Sequence, residues 1–338
     1  MSDRPPWTPL HAQIHRTLRS RHLLPRERRL LVAVSGGQDS LCLIKLLLDL
    51  QPKWGWFLAI AHCDHRWRDD SDANAQHVAN LAKTWAIPFY CATADRSLPS
   101  EAAARTWRYQ ALSAIACQND YQYIVTGHTQ SDRAETLLYN LMRGSGADGL
   151  QALTWQRDFS DRLHLVRPLL ETSRPTTAQF CQDMRLPIWE DDTNQNLKYA
   201  RNRIRQELIP YLQNNFNPQV EQALAQTAEL LQADVEHLEL AAQQLKHQAT
   251  HPQDPLKLNR HILQNAPLAL QRRVMRQFLR QALDCSPTFE QIEKLTALIT
   301  AANKAQTDPF PGGAIAKVEA GWIYLVLSFL PNSPNLFW

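Results

Sequence analysis

Apolar residues in this chain fall into two alternating patterns. Short continuous runs occur at residues 30–34, 56–62, 88–92 and 123–126. Each is bounded by polar or turn-forming residues and predicts a strand covered on both faces. Residues 41–50, 72–86, 101–119 and 131–143 instead carry the three- and four-residue spacing of helices. Residues 10–24 read as an amphipathic helix ahead of the first strand. One more strand is predicted at 163–170 and a helix at 201–211, with Pro210 near its end. This alternation predicts a doubly wound parallel α/β sheet, whose ligands sit at the carboxyl ends of the strands.

The pattern changes after Asn214-Asn215-Phe216-Asn217-Pro218, a turn cluster that marks a domain boundary. Beyond it Val220, Leu224, Thr227, Leu231, Val235, Leu238, Ala242 and Leu245 recur at helical spacing and read as a packing stripe. Helices are predicted at 268–283 and 288–302, and a terminal hairpin at 312–329 that turns at Ala320-Gly321. The expected organisation is an N-terminal α/β nucleotide-binding domain, 1–216, followed by a smaller, mainly helical domain, 217–338.

With 338 residues and 44% hydrophobic content, the chain holds enough apolar mass for two cores. The net charge of +3 is small but unevenly placed. Residues 217–338 hold 10 Lys and Arg against 11 Asp and Glu, leaving 26 and 22 in the first 216. A polyanionic partner is therefore expected first on the N-terminal part. Cys42, Cys63, Cys91, Cys117, Cys181 and Cys285 are scattered with no Cys-x-x-Cys pair. That disfavours structural zinc, an iron–sulfur cluster or a redox pair. No apolar run reaches membrane-spanning length, and residues 1–9 lack a signal-type stretch. A cytoplasmic protein with no membrane partner is expected. No heptad of coiled-coil length is legible, and the oligomeric state is left open.

The first strand runs into Ser35-Gly36-Gly37-Gln38-Asp39-Ser40, and a helix follows at once. Strand, glycine-rich loop and helix start place backbone N–H groups against a phosphate. Two glycines remove Cβ atoms where an anion approaches the backbone. Asp39 repels a bare anion, so its presence implies a divalent cation between carboxylate and phosphate. The reading is an ATP site with Mg²⁺. The segment is neither a Walker loop nor a dinucleotide fingerprint.

Three more strand ends and helix starts carry chemistry. His62-Cys63-Asp64-His65-Arg66-Trp67-Arg68 closes the second strand and reads as a loop touching nucleotide and substrate. Glu101, Arg105 and Arg108 share one helix face, as a solvated ion-pair face or as a cation pair aimed at phosphate. In Gly127-His128-Thr129-Gln130-Ser131-Asp132-Arg133-Ala134-Glu135-Thr136, Asp132 and Glu135 fall in a first helical turn. Carboxylates there stabilise the helix dipole and also stand ready to hold Mg²⁺. Arg143-Gly144-Ser145-Gly146 is a hinge or a second anion contact. Glu190-Asp191-Asp192-Thr193-Asn194 is acidic. Arg201-Asn202-Arg203-Ile204-Arg205 is basic, either a solvated face or a nucleic-acid backbone contact.

In this order the segments resemble the tRNA(Ile)-lysidine synthetases, a branch of the ATP pyrophosphatases. The loop at 35–40 matches their Ser-Gly-Gly-x-Asp-Ser motif. The likeness extends through 62–68 with Ser71, 101–109, 127–136, 143–146 with Arg167-Pro168-Leu169-Leu170, and 190–194 with 201–210. Cys63-Asp64 and Arg66-Trp67 depart from the more usual Val-Asn and Gly-Leu. The resemblance implies that ATP adenylates the carbonyl oxygen at carbon 2 of the wobble cytidine of a CAU-anticodon tRNA(Ile). Free L-lysine then displaces AMP through its ε-amine to form lysidine.

On this basis Ser35, Gly36, Gly37, Gln38, Asp39, Ser40, His62 and Gly127 are expected to bind ATP. Asp39 and Asp132 are expected to hold Mg²⁺, with Arg108 as the third catalytic group. His65, Glu101, Arg105, Glu135, Arg143, Arg201 and Arg205 are the substrate and tRNA candidates. Lysine's amine has a reference pKa near 10.4, so deprotonating it at neutral pH costs roughly 4–5 kcal/mol without a base. Glu101, Asp39 and Asp132 are the candidates for that base. Two alternatives are a tRNA 2-thiolation enzyme of the same superfamily, disfavoured by the unpaired cysteines, and a non-catalytic nucleotide and tRNA-binding protein.

Overall fold

The computed structural model describes residues 7–66, 70–190, 196–283 and 286–327. Trp67, Arg68, residues 191–194 of the acidic run, Cys285, and Ser328 and Phe329 of the expected hairpin lie outside them. The chain divides into two compact units, residues 1–232 and 233–338.

The first unit begins with α1 (Pro9–Ser20), β1 (Arg29–Ala33), α2 (Gln38–Trp54), β2 (Phe57–Asp64), α3 (Ser71–Thr84), β3 (Phe89–Thr93), α4 (Glu101–Gln118), β4 (Tyr123–Thr126) and α5 (Gln130–Met142). It continues with α6 (Ala147–Leu150), β5 (Gln156–Ser160), β6 (Leu163–Val166), α7 (Arg174–Asp183), α8 (Ala200–Arg203), a π-helical turn (Ile204–Leu208), α9 (Ile209–Asn215) and the start of α10 (Val220–Ala249). The described residues form one sheet in the order β3-β2-β1-β4-β6-β5. All neighbours are parallel except β5, which lies antiparallel at the edge.

β1 is central because it is apolar on both faces. Val32 pairs with Ile60 on one side and Val125 on the other. Successive side chains alternate between faces. Leu30 and Val32 enter the core shared with α1, α2 and Phe180 of α7, while Leu31 enters the one built with Leu112 and Ala116 of α4. In α2, Leu41, Leu43, Ile44, Leu46 and Leu47 have no solvent exposure. Each such side chain contributes about 1.5–3 kcal/mol, which anchors the helix whose first turn carries Asp39.

Three local expectations need correction, and two elements were absent from them. α1 ends at Ser20, short of 24, with His22 at a φ of 52° and Pro25 just beyond. The strand expected at 163–170 stops at Val166, because Pro168 has no N–H to continue a ladder. Residues 201–211 are broken by the π-helical turn, ahead of Pro210, which likewise lacks a helical N–H. β5 and α7 were not anticipated at all.

The second unit holds the rest of α10, β7 (Thr250–His251), β8 (Asp254–Asn259), α11 (Arg260–Gln264), α12 (Leu268–Leu283), α13 (Phe289–Ala297), β9 (Ile315–Glu319) and β10 (Trp322–Val326). It is mainly helical, with an antiparallel sheet in the order β7-β8-β10-β9. The hairpin turns at Ala320 and Gly321, at φ 46° and 84°, between the paired residues Glu319 and Trp322. Positive φ at both turn residues matches the twist of the flanking strands. Val274, Met275, Phe278 and Leu279 of α12 pack with Leu295, Val318 and Ile323 in its core. β8 escapes a sequence reading because it offers only Leu256 and Leu258 as alternating apolar positions, next to Pro255.

Candidate active site

α2 starts where β1 ends. Its N-cap, Gly37, makes no side-chain cap bond, so the first turn lacks a side-chain acceptor, the condition of an anion-binding helix start. The loop's own hydroxyls hold its shape. Ser40 Oγ accepts from Ser35 N at 3.2 Å and donates to Gly37 O at 2.8 Å. Gly36 adopts a φ of 89°, and a Cβ there would stand 2.5 Å from Asn74 Oδ1. Asn74 Nδ2 donates to Ser35 O, and Trp189 N donates to Gly36 O, both at 3.0 Å.

Gly127 meets a different need. A Cβ there would lie 2.9 Å from the carbonyl oxygen of Asp39. Backbone thus packs on backbone, and the starts of α5 and α2 come together. Thr129 caps α5 in a box with Asp132, whose Oδ2 accepts from Thr129 N at 2.8 Å and Thr129 Oγ1 at 2.9 Å. The other oxygen of Asp132 lies 3.1 Å from Arg174 Nη2 and 3.7 Å from Arg205 Nη2. Arg174 also reaches Asp39, with Nε 3.3 Å from Oδ2. Asp39 Oδ1 accepts from Thr177 Oγ1 at 2.5 Å. Arg205 grips Glu135 with two bonds, at 2.6 and 2.9 Å.

Gln38 and Asp39 of α2, Asp132 and Glu135 of α5, Arg174 of α7 and Arg205 of the π-helical turn therefore meet in one cluster. Burial pushes the Asp39 carboxyl above its ordinary value despite Arg174. Burial acts on Asp132 in the same direction, but Arg174, with His128, the Thr129 N–H and Arg205, together outweigh it and hold that carboxyl low. Glu135 is raised by burial against the pull of Arg205. The cluster suits a small divalent cation. Oxygen donors of two carboxylates match a hard ion that takes its remaining ligands from phosphates and water.

Arg174 and Thr177 were missed by the sequence reading. They lie in the first turn of α7, behind Ser173, whose side chain caps Thr176 N, and with Pro175 inside the first turn. Ser-x-Pro is a helix-start signal that would have located them.

A second group of predicted residues gathers around Tyr109. Arg105 and Arg108 stand over its ring, 5.3 and 5.7 Å from the centroid. Burial raises the phenol, but Arg105, Arg167 and Arg108 outweigh it and hold it below the ordinary tyrosine value. Buried Arg167 donates from Nη1 to Thr154 O at 2.6 Å. His65 packs edge-on to Trp107 at 5.1 Å. Burial and the charge of Arg108 lower its pKa to about 4. His62 is buried and lies 2.8 Å from Val34 O through Nδ1. Facing a carbonyl, Nδ1 carries the proton and Nε2 is the acceptor.

Glu101 does not pair along its own helix. It meets Arg201 at 3.1 Å, which ties α4 to α8. Arg143 donates to the hydroxyl of Tyr139, one turn back, at 3.2 Å, and touches neither cluster.

The sheet order, the uncapped glycine loop and the carboxylates at neighbouring strand ends are those of a PP-loop ATP-using domain. A PP-loop domain model matches residues 8–212, and a TilS substrate binding domain model matches 258–313. The tRNA(Ile)-lysidine synthase of Nostoc sp. is 70% identical over 332 residues, covering 94% of this chain and 97% of the relative. That of Synechocystis sp. is 51% identical over 323 residues, with the same coverage of 94% and 97%. The chain belongs to the tRNA(Ile)-lysidine synthase family. Among solved structures, the U34-tRNA thiolase NcsA from Methanococcus maripaludis is similar in fold, with a TM-score of 0.56 and 14% identity over 66% of this chain and 77% of the other. No helix among the described residues is long and apolar enough to cross a membrane.

Proposed function

We propose that the protein is an ATP-dependent ligase that joins free L-lysine to carbon 2 of the wobble cytidine in a CAU-anticodon tRNA(Ile), in the cytoplasm. The near-full-length similarity to proteins of that name carries this reading. The cytidine carbonyl oxygen attacks the α-phosphorus of ATP and pyrophosphate leaves. The ε-amine of lysine then attacks carbon 2, and AMP departs with the oxygen.

In this reading the uncapped first turn of α2 binds ATP phosphates through backbone N–H groups of the 35–40 loop. Asp39 and Asp132 are the residues that would hold Mg²⁺. That ion would neutralise charge developing on the phosphates. Arg108, set over Tyr109 beside a neutral His65, supplies a fixed positive charge toward the phosphate that changes hands. Glu135 with Arg205, and Glu101 with Arg201, form pairs between elements and are the residues assigned to substrate and tRNA. Residues 1–216 are assigned to catalysis and 217–338 to tRNA binding. The π-helical turn and α8 carry Arg201 and Arg205, basic contacts at the end of the catalytic part.

The test is incorporation of labelled lysine into tRNA(Ile) with a CAU anticodon, with ATP and Mg²⁺, alongside a methionine tRNA bearing the same anticodon. The expected result is incorporation into the isoleucine tRNA alone. Absence of lysine in both tRNAs refutes the reaction; equal labelling of both refutes the specificity.

A further inference from the structure

The two carboxylates at the candidate metal position are each half occupied by neutral donors. Asp132 Oδ2 is bound by Thr129 N and Oγ1, and Asp39 Oδ1 by Thr177 Oγ1. The oxygens left over, Asp132 Oδ1 and Asp39 Oδ2, are the two that Arg174 holds, at 3.1 and 3.3 Å. A cation shared by this pair needs those same two oxygens.

We propose that Arg174 stands in for the metal ion when no nucleotide is bound, and that a divalent cation must displace its guanidinium to enter. The proposal rests on the reading of Asp39 and Asp132 as the Mg²⁺ pair. The geometry singles out Arg174 over its neighbour. Arg205 is locked to Glu135 by two short bonds and lies 3.7 Å from Asp132. Arg174, by contrast, makes one hydrogen bond, from Nη2 to Asp132 at 3.1 Å, and its Nε meets Asp39 at 3.3 Å as an ion pair without hydrogen-bond geometry. Its main chain is pinned, since Arg174 O accepts from Gln38 Nε2 at 2.9 Å. The side chain alone therefore exchanges, while α7 stays docked on α2.

The physical consequence is a competition. The guanidinium keeps two half-buried carboxylates neutralised before substrate arrives. An ion binds only the fraction of molecules in which Arg174 has left, so its apparent affinity is reduced by that fraction. ATP arriving with its ion adds negative phosphates that favour a displaced guanidinium, which couples metal entry to nucleotide entry.

The test uses Mn²⁺ as probe, titrated by electron paramagnetic resonance into the full chain without nucleotide, lysine or tRNA. Arg174→Gln is expected to bind Mn²⁺ at least tenfold more tightly than the natural protein, and Arg174→Lys close to it. Simple structural damage would weaken binding, so tighter binding is specific to competition. Unchanged or weaker binding in folded Arg174→Gln overturns the proposal. If that variant does not fold, the natural protein supplies the answer through the arginine Nε–H resonances. The Arg174 signal, assigned by its loss in Arg174→Lys, is expected to shift on Mg²⁺ saturation, and a stationary signal overturns the proposal. Asp39→Asn separates the two levels. Loss of Mn²⁺ binding in Asp39→Asn with indifference to Arg174 sinks only the exchange. Mn²⁺ binding that Asp39→Asn leaves intact sinks the metal site beneath it.

Discussion

Asp39 and Asp132 meet through one guanidinium, whereas Arg105, Arg108 and Arg167 gather around one phenol ring. In the first region opposite charges compensate one another before any ligand is present. In the second, the charges that act on Tyr109 are those of Arg105, Arg167 and Arg108, and an aromatic ring organises them in place of a carboxylate. The one acid of that neighbourhood singled out from sequence, Glu101, is engaged by Arg201. The difference suits the two ends of a metal-bound nucleotide. The acidic region would accept a cation by exchange, and the basic region offers positive charge to an anion.

The largest break in the comparison comes from deleting its charged members. Asp39→Ala and Asp132→Ala are each expected to lower lysine incorporation by at least ~10³-fold, and Arg108→Ala by about 10²–10³-fold, the range for removing one transition-state charge contact. Pyrophosphate release on addition of tRNA is the measurement. Near-normal turnover in either aspartate variant refutes its assignment, and the same result for Arg108→Ala removes the basic region from the reaction.

A smaller effect separates the two loop glycines. Gly36→Ala forces an alanine to a φ of 89° with its Cβ 2.5 Å from Asn74 Oδ1, and is expected to destabilise the fold by about 1–3 kcal/mol. At Gly37 a Cβ would meet nothing closer than Ser35 Oγ, at 3.6 Å, so Gly37→Ala leaves thermal stability within ~0.5 kcal/mol. If Gly37→Ala nevertheless raises the KM for ATP about tenfold or more, the backbone there is approached by phosphate. An unchanged KM assigns that glycine to the turn alone.

The smallest effect is on pH dependence in the basic region. His65 has a folded pKa of about 4 against an unfolded value near 6.5. The unfolded chain binds the extra proton first, so stability contributed by neutral His65 is present above pH 6.5 and declines as the pH falls toward 4. His65→Gln is expected to flatten the acid limb of thermal stability over that window. An identical limb in both proteins removes burial beside Arg108 as its cause.

The order of strands and helices around the loop was legible because each depends on near neighbours in sequence. A continuous run such as 30–34 reads as a covered strand, and Gly36-Gly37 marks a turn whose purpose follows from Asp39 beside it. Asp132 was legible as a first-turn acid. Its partners were not. Arg174 stands 135 residues from Asp39, Arg205 stands 70 from Glu135, and no local pattern links them. The hub at Glu229 is similar. It binds buried Arg133, Arg21 and Trp155 Nε1, although α10 read only as a packing stripe.

The sequence by itself determined the α/β alternation, the anion-binding loop, the acids at helix starts and, through an ordered set of segments, the family. Those are matters of periodicity, backbone freedom and residue type over short spans. Only the tertiary structure decided which charges neutralise which. It removed Glu101 from its own helix face, placed Arg174 on the two oxygens a metal ion would use, and gave Gly127 its reason in a backbone contact with Asp39. Such choices depend on distances between chain segments that sheet order alone brings together, and Coulomb energy at a few ångströms outweighs any preference encoded along the chain.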